Sequence, residues 1–219
     1  PDQDRARQVS CRCPGCDAVE REHSLNMGNS VIKKAKQVLS EANKLDQAVY
    51  VAVATSPTPS LDSALRKLSD AANYSRLSGC ISLGLAVLGG SAGRRAALRG
   101  IASIGVTSAV LNAAVKPVAH RARPDRDGAA VPEARHVRMP TSHSFPSGHT
   151  ASAFAFAVGV GHVLPWSIPP LVLLAAAVGY SRVHTGVHYP GDVVIGALSG
   201  VIIAEATNTT LDMLLPGNK

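Results

Sequence analysis

Long apolar runs without charge alternate with short polar and basic stretches in the second half of the chain. No Asp, Glu, Lys or Arg occurs from residue 101 to 115, or from residue 150 to 181. Runs of this character approach the ~20 apolar residues that a helix needs to cross a bilayer. No segment alternates as a strand does, so the pattern predicts an all-α, membrane-embedded helical bundle. The span-like runs are residues 77–93, 101–115, 150–164, 168–180 and 193–206.

The first third of the chain has a different character. Residues 1–30 are polar, mixed in charge and without periodicity, which predicts an unstructured tail. Apolar side chains recur every three or four positions in residues 31–50 and again in 61–74, which predicts amphipathic helices up to about residue 76. The predicted organisation is therefore a tail, two amphipathic helices, and a transmembrane domain over residues 77–215.

The composition supports a membrane setting. Hydrophobic residues make up 46% of the chain, aromatic residues 4% and charged residues 17%, and soluble domains usually carry about 25% charged residues. The net charge of +7 fits anionic lipid better than nucleic acid, because basic and aromatic residues are not interleaved for base stacking. Cys11, Cys13 and Cys16 could hold zinc, but no fourth ligand lies at the usual spacing, and an unstructured tail is favoured.

Three polar clusters border the ends of apolar runs. If the spans alternate in direction, all three clusters lie at the same face of the membrane, so their side chains are expected to meet. The clusters are Lys116-x6-Arg123-Pro124, Pro146-Ser147-Gly148-His149 and Ser181-Arg182-x5-His188-x3-Asp192.

These residue types can hold and attack a phosphate. Lys116, Arg123 and Arg182 supply positive charge, and guanidinium groups match phosphate oxygens in pairs. Gly148 permits close approach of the backbone at a predicted helix start, where free N–H groups point at an anion. Ser147 adds a hydroxyl donor.

Histidine can act as a phosphate nucleophile through a covalent phosphohistidine. Asp192 follows His188 by four residues and can orient the ring, which leaves His149 as the general acid for the leaving oxygen. His184 lies in the same turn and is an alternative nucleophile. Taken singly, each of these groups has a structural interpretation, such as a cationic anchor at a helix end or a fold-stabilising His–Asp pair.

The loop of residues 125–144 is long and basic, and two interpretations stay open. It is either a lid or rim that faces the headgroup of a lipid, or a solvated connector. His120, His136 and His143 have no motif role, and we expect at least one of them to line the entrance.

The arginines of the first connection between spans predict the orientation. Arg94, Arg95 and Arg99 would lie at the face opposite the three clusters. Cytoplasmic loops are enriched in Lys and Arg, so this face is expected inside and the clustered face outside the cell membrane.

The three clusters resemble the type 2 phosphatidic acid phosphatase superfamily, which includes bacterial acid phosphatases and vanadium haloperoxidases. Its motifs K-x6-R-P, P-S-G-H and S-R-x5-H-x3-D are matched without departure, within a region of about residues 96–206. Residues 56–69 are similar to actinobacterial lipid phosphatases of this family. The resemblance implies catalysis without a metal or other cofactor, with His188 as nucleophile, Asp192 as its partner and His149 as acid. The phosphate-binding residues that it implies are Lys116, Arg123, Ser147, Gly148 and Arg182.

The expected function is that of an integral membrane lipid phosphatase. A polyprenyl phosphate or diphosphate is the first candidate substrate, and phosphatidic acid or phosphatidylglycerol phosphate is the second. One alternative is a vanadate-dependent haloperoxidase, against which the membrane spans argue. Another is a non-catalytic module that binds phospholipid, although such a module would need only the cations and not the two histidines.

Overall fold

The computed structural model describes the backbone from Pro14 to Leu215 and the side chains from Ser30 to Leu215. No β-strand forms in the described part of the chain, so the all-α prediction is confirmed there. The α-helices are α1 (Pro14–Thr55), α2 (Pro59–Ala71), α3 (Arg76–Leu88), α4 (Gly90–Val110), α5 (Gly148–Gly161), α6 (Ile168–His184) and α7 (Pro190–Leu214). A five-residue π-helical turn, Leu111–Val115, extends α4.

The chain divides into two compact units, with the boundary between Leu45 and Asp46. In the first unit, α1 begins at Pro14, well before residue 31 where the periodicity placed the helix start, and the side chains from Ser30 to Leu45 are exposed. The candidate zinc ligands Cys11 and Cys13 lie outside the described residues. The domain boundaries at residues 30 and 76 stay predictions.

The first predicted span does not form as one helix. Within residues 77–93, α3 ends at Leu88 and α4 starts at Gly90. Gly90 has φ +62°, a left-handed conformation that glycine adopts at little cost. Pattern reasoning missed this break because the two glycines sit inside an uninterrupted apolar run. In the described residues, the helical segments long and apolar enough to cross a membrane are Gly90–Val115, Pro165–His184 and Pro190–Leu214.

The arginines assigned to a connecting loop lie inside α4. Arg99 is buried, and its guanidinium donates to Asp212 Oδ1 at 2.5 Å and to Asn208 Oδ1 at 3.3 Å, both on α7. These contacts are at the end of α4 away from Lys116. The loop assignment was therefore wrong, and the orientation based on it stays a prediction.

The second unit is organised around α5, which packs against α4, α6 and α7. Small residues make these close contacts possible, since Ala151 and Ala155 on α5 are fully buried. Phe156 and Val160 pack with Ile104 of α4 in one apolar cluster. The start of α5 is thereby held at the centre of the bundle.

The loop that joins α4 to α5 is fastened by Arg135. This side chain is 1% exposed, and its Nε donates to Asp62 Oδ1 at 2.9 Å. It also donates to backbone carbonyls at the end of α1 and just beyond it. The loop is therefore packed on the bundle at this point. The carbonyl acceptors belong to Val53, Ala54 and Ser56.

Candidate active site

The three motifs meet at one end of the bundle. Lys116 follows α4, the P-S-G-H sequence leads into α5, and the third motif covers the end of α6 and the start of α7. The backbone N–H of Ser147 donates to the carbonyl oxygen of Asp192 at 2.9 Å, which joins the second motif to the third. The expectation that successive spans bring these clusters together therefore agrees with the packing.

A cavity of about 610 Å³ opens at this end of the bundle. The predicted site residues that line the cavity are Lys116, Arg123, Gly148, His149 and His188. The other three predicted site residues are fully buried and do not line the cavity; they are Ser147, Arg182 and Asp192.

His188 has its two ring nitrogens in different surroundings. Nδ1 lies 3.5 Å from Asp192 Oδ2 and 3.4 Å from Ser144 Oγ, whereas Nε2 lies 3.3 Å from Arg123 Nη1. The pKa of His188 is lowered to about 4. Burial is the largest cause, and the charges of Arg123 and Arg182 act in the same direction, whereas the hydrogen bond to Asp192 opposes them. The ring is therefore neutral at pH 7, and a proton on Nδ1 that faces Asp192 leaves the Nε2 lone pair to accept the hydrogen bond from Arg123.

Asp192 is held in place by the first turn of α7. Its Oδ2 accepts the backbone N–H of Tyr189 at 3.0 Å in a capping arrangement and also accepts a hydrogen bond from the Ser144 hydroxyl. Its Oδ1 accepts a hydrogen bond from Arg121 Nη1 at 2.7 Å. A fully buried carboxylate needs partners of this kind to stay ionised.

Two cations on the α4–α5 connection face the cavity. Lys116 Nζ donates to Asn112 Oδ1 at 2.9 Å, and Arg123 donates to the carbonyl oxygens of Val187 at 2.7 Å and Ser142 at 2.9 Å. Burial lowers the pKa of Lys116 below its usual range, and the charge of Arg123 adds to this effect. Burial likewise lowers the pKa of Arg123. An anion in the cavity would relieve this unfavourable charge.

Arg182 is a buried guanidinium that is only partly satisfied. Its Nη1 donates to Ser69 Oγ at 2.6 Å and to the Ser69 carbonyl at 3.0 Å. Its Nε and Nη2 find no hydrogen-bond partner within the described part of the chain. Unpaired N–H groups on a buried cation are costly, and two of them on one edge match two oxygens of a phosphate. The positive charge of Arg182 lowers the pKa of both His149 and His188.

His149 opens α5 and is oriented by a residue that the motifs do not contain. Its Nε2 lies 3.0 Å from Asn73 Oδ1, in the turn between α2 and α3. Ser147 Oγ, beside it, shares a hydrogen bond of 3.0 Å with Thr150 Oγ1. His149 is thus fixed at the cavity wall, next to the free N–H groups of the helix start.

The histidines outside the three motifs lie in different parts of the structure. His143 lines the cavity and contacts His120 at 3.3 Å, whereas His136 bonds to the Val131 carbonyl at 3.0 Å. His184 is buried against Asp62 at 3.0 Å and does not line the cavity. Residues 138–143 of the long loop form part of the cavity wall.

Sequence reasoning missed several side chains that support the site. Arg121 lies within the spacer of the first motif, where spacing alone assigns it no role. Ser144 lies just before the second motif, which does not include it. The others are remote in sequence and are brought in by helix packing, so no local pattern identifies them. They are Asp46, Ser69 and Asn73.

Comparison with known proteins identifies the family of this chain. Residues 96–214 match the model of the PAP2 superfamily. Decaprenylphosphoryl-5-phosphoribose phosphatase from Mycolicibacterium smegmatis is 33% identical over 163 residues, which cover 72% of this chain and 84% of that protein. The Mycobacterium tuberculosis protein of the same name is 34% identical over 95 residues, and the match spans 50% of its length. The crystal structure of Aquifex aeolicus LpxE superposes with a TM-score of 0.59 at 26% identity, covering 75% of this chain and 95% of that one.

The fold and the site thus define a transmembrane helical bundle with a polar, cation-lined cavity at one end. The chain belongs to the PAP2 superfamily, as the three motifs indicated. It is an integral membrane protein, with apolar helices long enough to span a bilayer.

Proposed function

We propose that this protein is a lipid phosphatase that hydrolyses a phosphate monoester or diphosphate on a lipid through a phosphohistidine at His188. The observation that carries the proposal is the convergence of Lys116, Arg123, His149 and His188 on one cavity. A binding module would need the cations only, whereas this cavity also presents the neutral imidazole of His188. Its Nε2 accepts a hydrogen bond from Arg123 at 3.3 Å in the empty site, and it can attack phosphorus once Arg123 turns to the phosphate oxygens. The proposed reaction uses no metal.

In the first step, His188 Nε2 attacks phosphorus, the N–P bond forms, and the bond from phosphorus to the lipid oxygen breaks. Asp192 stabilises the positive charge that develops on the ring, since its Oδ2 faces Nδ1. Burial and the charges of Arg182, Arg123 and Lys116 lower the pKa of His149 well below its usual range. We therefore propose that His149 takes up the proton of a bound phosphate monoanion and gives it to the leaving lipid oxygen. Lys116, Arg123 and Arg182 offset the charge on the phosphoryl oxygens.

In the second step, water attacks phosphorus and the N–P bond breaks, so the electron pair returns to Nε2. His149, now neutral, takes the proton from the attacking water and is ready for the next cycle. Gly148 at the start of α5 lines the cavity and presents a backbone donor to the anion. Inorganic phosphate and the free lipid alcohol or lipid monophosphate are the products.

A polyprenyl phosphate or diphosphate is the proposed first substrate, and phosphatidic acid or phosphatidylglycerol phosphate the second. The names of the mycobacterial relatives support a polyprenyl carrier. We also propose that the active end faces outward from a bacterial cell membrane. The arginines of α4 lie at the other end of the helix from Lys116, and the positive-inside tendency supports that orientation.

The test is phosphate release by purified protein in detergent, with and without EDTA. The panel holds a polyprenyl diphosphate, phosphatidic acid and phosphatidylglycerol phosphate, and His188→Ala is assayed beside the wild type. EDTA-resistant release that His188→Ala abolishes is the expected result. Release that persists in this variant would exclude His188 as the nucleophile, and folded wild-type protein inactive on all three lipids would count against the proposed function.

A further inference from the structure

Arg121 lies between two carboxylates at the base of the site. Its Nη1 donates to Asp192 Oδ1 at 2.7 Å and its Nη2 to Asp46 Oδ2 at 2.6 Å. The guanidinium also stacks on the ring of Tyr189, with its carbon 4.2 Å from the ring centroid. These contacts place one cation across the first turn of α7, where Asp192 sits.

Asp46 is itself held by that turn. Its Oδ1 accepts the backbone N–H of Gly191 at 2.6 Å. The contacts therefore close a ring in which Gly191 is bonded to Asp46, Asp46 to Arg121, and Arg121 to Asp192. A ring of charge-assisted hydrogen bonds leaves the Asp192 carboxylate little freedom to rotate.

The two oxygens of Asp192 have separate tasks in this arrangement. Oδ2 faces Nδ1 of His188, and Oδ1 accepts the hydrogen bond from Arg121. A partial rotation of the carboxylate would move Oδ2 away from Nδ1 and lengthen the contact with His188. Burial lowers the pKa of Arg121, but its hydrogen bond with Asp46 and the charge of Asp192 raise it by more, so the guanidinium keeps its charge.

We propose that Arg121 and Asp46 form a positioning pair that orients Asp192 against His188 and so selects the ring tautomer that can attack phosphorus. The inference rests on the proposed phosphatase function, and it adds residues that none of the three motifs contains. Asp46 lies on α1, outside the family match of residues 96–214, so a helix beyond that match contributes to the site.

A purely structural role is the competing explanation, because the same contacts fasten the end of α1 to α7. The two roles differ in their coupling to Asp192. If Arg121 acts through Asp192, removing it from a protein that already carries Asp192→Asn should cost no further activity. If it only stabilises the fold, its loss should lower activity by the same factor in both backgrounds.

The experiment compares Arg121→Gln, Asp46→Asn, Asp192→Asn and the Arg121→Gln/Asp192→Asn double variant. Arg126→Gln is the control, since Arg126 is a half-buried guanidinium on the same connection that bonds to the carbonyls of Val137 and Gly186. Phosphate release from the polyprenyl diphosphate gives kcat and KM. Spectra of [15N]histidine-labelled protein in micelles give the tautomer of His188, assigned with His188→Gln, and do not depend on turnover.

We expect Arg121→Gln to lower kcat roughly 10- to 100-fold with KM nearly unchanged, and the double variant to match Asp192→Asn. The Nδ1–H tautomer should dominate in the wild type and in Arg126→Gln, and should be depleted in Arg121→Gln. Additive losses in the double variant, or an unchanged His188 tautomer in Arg121→Gln, would overturn the proposal. If the wild type hydrolyses no lipid, the proposed function fails, and the tautomer measurement still decides whether Arg121 orients the pair.

Discussion

The contact between α7 and the start of α5 can be tested with a single methyl group. A Cβ added at Gly196 would lie 2.6 Å from the Ser147 carbonyl oxygen and 3.3 Å from its carbonyl carbon. Carbon and oxygen atoms do not normally approach below about 3 Å, so Gly196→Ala must push Ser147 away by several tenths of an ångström. That carbonyl accepts the Ala151 N–H at 3.0 Å, so the whole first turn of α5 moves with it.

The expected cost follows from two opposing effects. Overpacking of a close contact costs about 1–3 kcal/mol, and the higher helix propensity of alanine returns up to ~1 kcal/mol. The net loss of stability should therefore be about 0–3 kcal/mol. Activity should suffer more, because Gly148 and His149 are displaced with the turn, and misplacement by about 1 Å can cost about 100-fold in rate.

Gly105→Ala is the matched control. Gly105 also lies in an apolar helix, α4, but a Cβ there would meet nothing within 4 Å. Both variants are heated in detergent, the monodisperse fraction is measured, and phosphate release is assayed on the unheated protein. Gly105→Ala should be as stable as the wild type or slightly more so. Equal stability and activity of the two variants would refute the inferred contact between α7 and α5.

Two further predictions concern the fold around the site. Arg135→Met should destabilise the protein by about 3–5 kcal/mol, because it leaves Asp62 and three carbonyls without their buried partner, whereas the exposed Arg138→Met should be neutral in the same thermal assay. The pKa of His188 is lowered from 6.5 to about 4, so the folded protein binds fewer protons than the unfolded chain in that interval. The contribution of His188 to stability should therefore fall by roughly 3 kcal/mol as pH drops from 6.5 toward 4. His188→Gln should remove that contribution from the thermal-stability profile and leave the contribution of His149, whose pKa is also lowered. An unchanged pH dependence in His188→Gln would contradict the buried, neutral state of this ring.

The limits of sequence reasoning are visible in α3 and α4. Hydropathy located the apolar segments, because burial in lipid requires apolar side chains whatever the tertiary packing. It failed at the break before Gly90, since a run of apolar and small residues has the same hydropathy whether the helix continues or stops. It also assigned Arg99 to a loop, although Asp212 and Asn208 on α7 allow that cation to lie in the bundle.

The proposed chemistry of the site was predictable from the sequence itself. Phosphoryl transfer at a histidine needs cations, a paired imidazole and an acid, and the spacing of such residues around the ends of apolar runs, with the resemblance of their motifs, was enough to propose them. Tertiary structure alone decided which groups support them. Asp46, Ser69 and Asn73 are far from the motifs along the chain, and only the packing of helices brings their side chains to Arg121, Arg182 and His149. The physical reason is that a hydrogen bond depends on distance in space, and a local pattern records distance only along one helix or turn.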